Sequence, residues 1–214
     1  MDPRPGVTHP GPEVEVWWAR TGEGRDEFVE DLDEVERARL AAYVRAADQE
    51  RFLLGVTMVR RLLGARFSLL PASVRLDRTC PDCGKPHGKV RADGVELSVT
   101  HSGELVGVAI ADVPVGIDVE RVDETLDVDA VARVALAADE VEKLKQYDGI
   151  EKARAFTAYW TRREAAVKAT GDGLRAEPGP VAGVQVVELA TEPDYRAALA
   201  VVEIEPPSVK VFSF

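Results

Sequence analysis

One ten-residue stretch constrains this chain more than any other: Val113–Val122, "VPVGIDVERV". An apolar run this short that ends in acids reads as a strand. Alternation then sends Val115 and Ile117 to one face and Asp118 and Glu120 to the other. Two carboxylates side by side repel each other unless a cation joins them. A hard divalent ion with oxygen ligands is the natural guest. Mg2+ keeps few protein carboxylates and favours phosphates, so it fits best, with Mn2+ as the alternative ion. The competing reading is an edge strand carrying two solvated charges, and the rest of the chain has to decide between them.

Composition excludes several classes. The 214 residues allow one large domain or two of about 100 each. At 45% apolar the chain can bury a core, yet no run approaches the roughly 20 apolar residues of a membrane span. The N-terminus lacks an apolar secretory core, so the expectation is a soluble, cytoplasmic protein with no membrane partner. A net charge of -11 argues against nucleic acid as a partner. Charge is also divided along the chain. Residues 51–91 carry nine Lys/Arg against two acids, and residues 92–150 carry four against fourteen. A basic stretch followed by an acidic one suggests a site for an anion and a site for a cation.

Periodicity places a strand at Glu13–Arg20, a helix at Asp31–Arg45, and a second helix from Gln49 to about Phe67 with Asp48 as its cap. Strands follow at Val95–His101, Leu105–Asp112 and Val115–Glu120. A helix is expected over Asp127–Tyr147 and another over Glu151–Ala169, stopped by Gly171. Three closing strands fall at Val181–Ala190, Tyr195–Ile204 and Val209–Phe214. The order is strand, helices, strands, twice over. It predicts an α+β fold of two similar α/β halves, residues 1–113 and 114–214.

Three further groups bear on chemistry. Glu164 lies in the best helix, on the flank of the apolar face marked by Phe156, Trp160 and Val167, with Lys168 one turn on. It is either an ordinary (i, i+4) pair or a third carboxylate for the Asp118/Glu120 site. "SVTHSG", Ser98–Gly103, ends a strand with hydroxyls and an imidazole that either bind a phosphate or simply close a polar turn. Cys80-x-x-Cys83 with His87 resembles half a zinc site without an evident fourth ligand. In the same loop Gly84-Lys85 and Gly88-Lys89 let backbone and ammonium approach a phosphate together.

Taken in order, these segments resemble the Sfp-type 4'-phosphopantetheinyl transferase family. The resemblance is carried by "RFLLGVTMVRRLL" from Arg51, "HGK" at His87–Lys89, "VTHS" at Val99–Ser102, "GIDVE" at Gly116–Glu120 and "WTRREAAVK" at Trp160–Lys168. It covers Arg51 to Lys168, and the pairing of the last two elements is its most specific part. It implies a pseudo-twofold fold with the active site in the cleft between the halves. It also implies coenzyme A as substrate and an apo acyl or peptidyl carrier protein as partner, while two internal halves make a monomer the simpler expectation. Phosphopantetheine would pass to a carrier serine, with release of 3',5'-ADP.

The residue roles are likewise implied by the resemblance. Asp118, Glu120 and Glu164 would hold Mg2+. Arg51, Thr100, His101 and either Lys89 or Lys85 would meet the nucleotide end of coenzyme A. Lys168 would touch the attacked phosphate, and Glu164, or else Glu140, would be the base. The chain departs from the pattern at Arg163, where Lys is usual, at Val90, where Pro is usual, and at Thr100, where Ser is usual. Gly84-Lys85-Pro86 matches the family's Gly-Lys-Pro literally, but the His-Gly-Lys setting favours Lys89. The alternatives are a Mg2+-dependent coenzyme A or nucleotide pyrophosphohydrolase and a non-catalytic coenzyme A-binding module.

Overall fold

The computed structural model describes residues 11–80, 83–86, 88–171, 179 and 181–214. Seven strands and five α-helices follow one another in the mixed order read from the sequence: β1 Glu13–Arg20, α1 Glu34–Ala42, α2 Ala46–Phe67, β2 Glu96–Ser102, β3 Leu105–Ala111, β4 Val115–Arg121, α3 Val128–Ala135, α4 Ala138–Leu144, α5 Gly149–Thr170, β5 Val184–Leu189, β6 Tyr195–Val202 and β7 Ser208–Ser213. Among the described residues, no helix is long and apolar enough to cross a membrane.

Alternation along the strands builds four layers. β3 is buried along its whole length. Its Val106, Val108 and Ile110 face α2, where Leu54, Met58 and Leu63 are fully buried. Its Ala109 and Ala111 turn the other way and join Val14 and Val16 of β1 against Val115, Ile117, Leu199 and Val201 of the second sheet. Each such aliphatic side chain contributes roughly 1.5–3 kcal/mol by leaving water. Beyond the second sheet, Ala198 and Ala200 meet Ala165 and Ala169 of α5. The layers are thus α2, sheet, sheet, α5, and the α+β class expected from the sequence is the one observed.

The first sheet runs β2-β3-β1-β7 and the second β4-β6-β5. β7 lies parallel to β1, Glu13 opposite Ser208 and Trp18 opposite Ser213, and Phe212 stacks on Trp17 with ring centroids 4.5 Å apart. The last strand of the chain therefore completes the sheet that the first residues began. A cut at residue 114 does not separate two self-contained sheets.

Three differences from the periodicity have a visible cause. The first helix starts at Glu34, because Asp33 and Glu36 exchange backbone hydrogen bonds in a capping box (2.8 and 3.1 Å). Asp48 lies inside the first turn of α2 and binds Arg51 instead of capping. The expected helix over Asp127–Tyr147 breaks at Leu136 and Ala137, both extended. That break lets Leu136 bury itself with Ala135, Leu144 and Phe156, and Glu140 restarts the helix by accepting from the Ala137 N–H at 3.1 Å.

Candidate active site

Gly116 is what brings the acids and α5 together. A Cβ there would lie 2.0 Å from the Ala165 carbonyl oxygen and 2.5 Å from the Ala169 nitrogen. Only glycine lets the α5 backbone settle onto β4. Positions 116, 118 and 120 share a face, so α5 hangs directly over Asp118 and Glu120, and Glu164 and Lys168, one turn apart, come down beside them.

Asp118 is buried, 4% exposed. Its Oδ1 accepts from Lys168 Nζ at 2.7 Å and from Thr100 Oγ1 at 3.3 Å, while Oδ2 has no hydrogen-bond partner. Burial pushes its pKa up to about 6; Lys168 opposes the rise, and Glu120 and Glu164 add to it. Glu120 is also raised, by burial first and then by Glu164, against the pull of the Ser102 hydroxyl and Lys168. Asp118 is thus pushed up by both other acids, and Glu120 by Glu164. Among the described residues, however, no three His, Cys, Asp or Glu side chains form a ready-made metal cluster. The Lys168 ammonium rests on Asp118, where a cation would stand.

Beside these acids opens a cavity of about 510 Å3 whose walls come from both halves of the chain. Arg39, Arg51, Arg78, Lys89, Arg91 and Lys168 line it together with His101, and among the described residues Glu164 is the one acidic side chain in its wall. In a chain of net charge -11, that concentration of positive charge is a site for a polyanion. Arg51 is oriented by the Gly103 carbonyl (2.8 Å) and Asp48 (2.5 Å). Burial holds His101 below the usual imidazole range, and the Arg51 guanidinium adds to that. Arg78 is aimed by Glu36 at 2.8 Å, whose other oxygen binds the fully buried Arg60 at 2.6 Å.

Of the residues singled out in the sequence, Arg51, Lys89, His101, Glu164 and Lys168 meet at this cavity. Lys89 donates to the Val115 and Lys168 carbonyls at 3.1 and 2.9 Å, clasping its loop to the second half. Lys85 is exposed and does not line the cavity. Thr100 is buried and turned toward β4. Glu140 caps its own helix and lies outside the cavity wall. Arg163 reaches the Ala135 carbonyl at 2.6 Å. His87 lies outside the described residues.

Sequence reasoning passed over Arg39, Arg78 and Arg91. The last two stand in the basic stretch already counted, but nothing local told them from a solvated charge. It also weighed the Ser98–Gly103 hydroxyls only as phosphate ligands or a polar turn, although hydroxyls at 98, 100 and 102, alternating with Leu97 and Val99, are a legible period of two.

A family model described as the 4'-phosphopantetheinyl transferase superfamily matches residues 114–210. The chain is 27% identical over 201 residues to the 4'-phosphopantetheinyl transferase HetI of Nostoc sp. strain PCC 7120, covering 91% of this chain and 81% of that protein. It is 28% identical to the 4'-phosphopantetheinyl transferase psf-1 of Bacillus pumilus, over 65% of this chain and 58% of that one. To the 4'-phosphopantetheinyl transferase Sfp of Bacillus subtilis strain 168 it is 25% identical, over 71% and 66%. The chain thus spans most of the first relative and less than two thirds of the other two.

Proposed function

The chain belongs to the 4'-phosphopantetheinyl transferase superfamily, and we propose that it transfers the phosphopantetheine of coenzyme A to a serine of an apo carrier protein of peptide or polyketide synthesis. The observation that carries this reading is one cavity that, among the described residues, is lined by six Lys/Arg side chains and a single acid, opening beside the buried Asp118. Coenzyme A brings a pyrophosphate and a phosphate monoester, and that lining suits both.

In the reaction the serine Oγ forms a bond to the phosphorus on the pantetheine side of the pyrophosphate. The bridging P–O bond breaks, and 3',5'-ADP leaves. Arg51 and His101 bind the phosphate monoester. Lys89 is the lysine of its loop that meets the nucleotide, since Lys85 stands away from the cavity. Glu164 is half-buried, lines the cavity and has no hydrogen-bond partner among the described residues, so its carboxylate is available to take the serine proton. Lys168 neutralises charge on the attacked phosphate.

The donor set at the acids suits Mg2+: carboxylate oxygens only, one of them buried and unpartnered. Asp118, Glu120 and Glu164 would hold the ion, and its chemistry there is to neutralise pyrophosphate oxygens as the leaving group departs. One chain supplies both walls of the cavity, which supports action as a monomer. The nature of the two substrates supports a cytoplasmic location.

The test is chromatographic. With purified protein, coenzyme A and Mg2+, 3',5'-ADP should appear only when apo carrier is added, in equal amount to the carrier consumed. Release without any carrier would make the protein a pyrophosphohydrolase. Binding of coenzyme A with no release at all would make it a binding module.

A further inference from the structure

The free edge of β4 meets the inner face of β2, yet no backbone ladder joins the two strands. β4 gives one edge to β6, which leaves the N–H groups of Ile117, Val119 and Arg121 facing β2. Each is received by a hydroxyl: Ser98 at 3.1 Å, Thr100 at 3.1 Å and Ser102 at 3.0 Å. The period of two on one strand meets the period of two on the other. A hydroxyl has two acceptor sites and one proton. Once its oxygen has taken the backbone N–H, the proton goes to the next acceptor in reach. For Thr100 that is Asp118 Oδ1 at 3.3 Å, and for Ser102 it is Glu120 Oε2 at 2.7 Å. For Ser98 the equivalent residue of β4 is Gly116, which offers no side chain. The same three bonds therefore split into two kinds: one that only joins the strands, and two that also grip a carboxylate.

We propose that Thr100 and Ser102 are positioning residues for the acidic site, each using its hydroxyl to lock a β4 carboxylate to the seam between the sheets. The inference rests on the reading of Asp118 and Glu120 as cation ligands. It gives Thr100 a task other than contact with the nucleotide, and Ser102 one other than the phosphate contact or polar turn read from the sequence. The backbone amide on one side fixes the hydroxyl rotor, so the carboxylate on the other side is held before any ion arrives. Outer partners of this kind are worth roughly ten- to a hundredfold in metal affinity where they have been removed from metal sites.

Ser98 is the built-in control. Full-length Ser98→Ala, Thr100→Val and Ser102→Ala proteins, with Thr100→Ser and Ser102→Thr to restore the hydroxyl, are saturated with coenzyme A and titrated calorimetrically with Mn2+. Thermal unfolding checks that each is folded, and amide exchange at Ile117, Val119 and Arg121 checks that each stitch is lost where intended. Thr100→Val and Ser102→Ala should weaken Mn2+ about ten- to a hundredfold, Ser98→Ala less than about threefold, and the restoring variants should recover most of the loss. Equal weakening in all three variants, or none in Thr100→Val and Ser102→Ala, would leave these hydroxyls as stitching alone and overturn the proposal. Absence of Mn2+ uptake by the wild-type complex would overturn it as well. Carrier-dependent release of 3',5'-ADP, measured on the same preparations, judges the transferase reading separately.

Discussion

At the scale of single residues, Asp118 carries the sharpest consequence. Its pKa is about 6, against 3.8 for an ordinary aspartate, and burial is the main cause. A carboxyl raised in the folded state favours folding when protonated. That contribution is whole below about pH 3.8 and is lost as pH rises through about 6. Without divalent ions, Asp118→Asn should therefore be more stable than the wild type at pH 7.5, by about 1–3 kcal/mol. The advantage should vanish near pH 4. Denaturant unfolding at the two pH values decides it, and a variant less stable than wild type at pH 7.5 would mean the Lys168 pairing outweighs burial.

Arg51 offers a second test at this scale. It is already aimed by Asp48 and Gly103, so its removal costs a prepared phosphate contact of about 1.5–3 kcal/mol. Arg51→Ala should raise KM for coenzyme A roughly ten- to a hundredfold while barely changing KM for dephospho-coenzyme A. Steady-state kinetics with both substrates measures the difference, and equal effects on the two would remove the phosphate monoester role.

At the scale of elements, the fit of α5 on β4 governs the site. Gly116→Ala places a methyl within 2.0 Å of the Ala165 carbonyl, where backbone meets backbone and nothing flexible can give way. Overpacking of this kind costs about 1–3 kcal/mol. For a chain of this size the melting temperature should fall by roughly 2–12 °C, with transfer lost in larger proportion because Glu164 and Lys168 move away from the acids. Calorimetry and the transfer assay together check it; full activity would show that the helix does not need this closeness.

Most elements were legible in the sequence because their apolar periods were clean. β1 matches its expected bounds, and α5 extends its expected helix by two residues at the start and one at the end. The break between α3 and α4 was not legible. Residues 127–147 keep a helical composition throughout, and only the packing of Leu136 against α5 reveals the turn. Asp118 and Glu120 could be singled out because two acids two residues apart end an apolar strand; Glu164 and Lys168 fit an ordinary (i, i+4) pair as well, and the family resemblance gave them their roles. The hydroxyls of β2 could not be assigned, since what they bind is a neighbouring strand whose register the sequence does not state.

At the scale of the whole molecule, the two halves are bound more closely than their similar element order suggests. β7 returns to the first sheet, Lys89 clasps β4 and α5 from the first half, and three hydroxyls on the inner face of β2 receive the free edge of β4. A strand's partner depends on crossings far apart in the chain, so the return of β7 left no mark in the pattern of residues 208–213. The charge division, in contrast, was visible from the start and corresponds to a cavity rich in Lys and Arg beside the buried Asp118 and the half-buried Glu120. The central claim is that this seam performs one reaction on coenzyme A. Intact-mass measurement of an apo carrier protein incubated with coenzyme A, Mg2+ and either wild type or Glu164→Gln tests it most directly. Wild type should add one phosphopantetheine to each carrier, and Glu164→Gln should still bind coenzyme A but add almost none. A carrier left unchanged by wild type, or modified at full rate by Glu164→Gln, would contradict the claim.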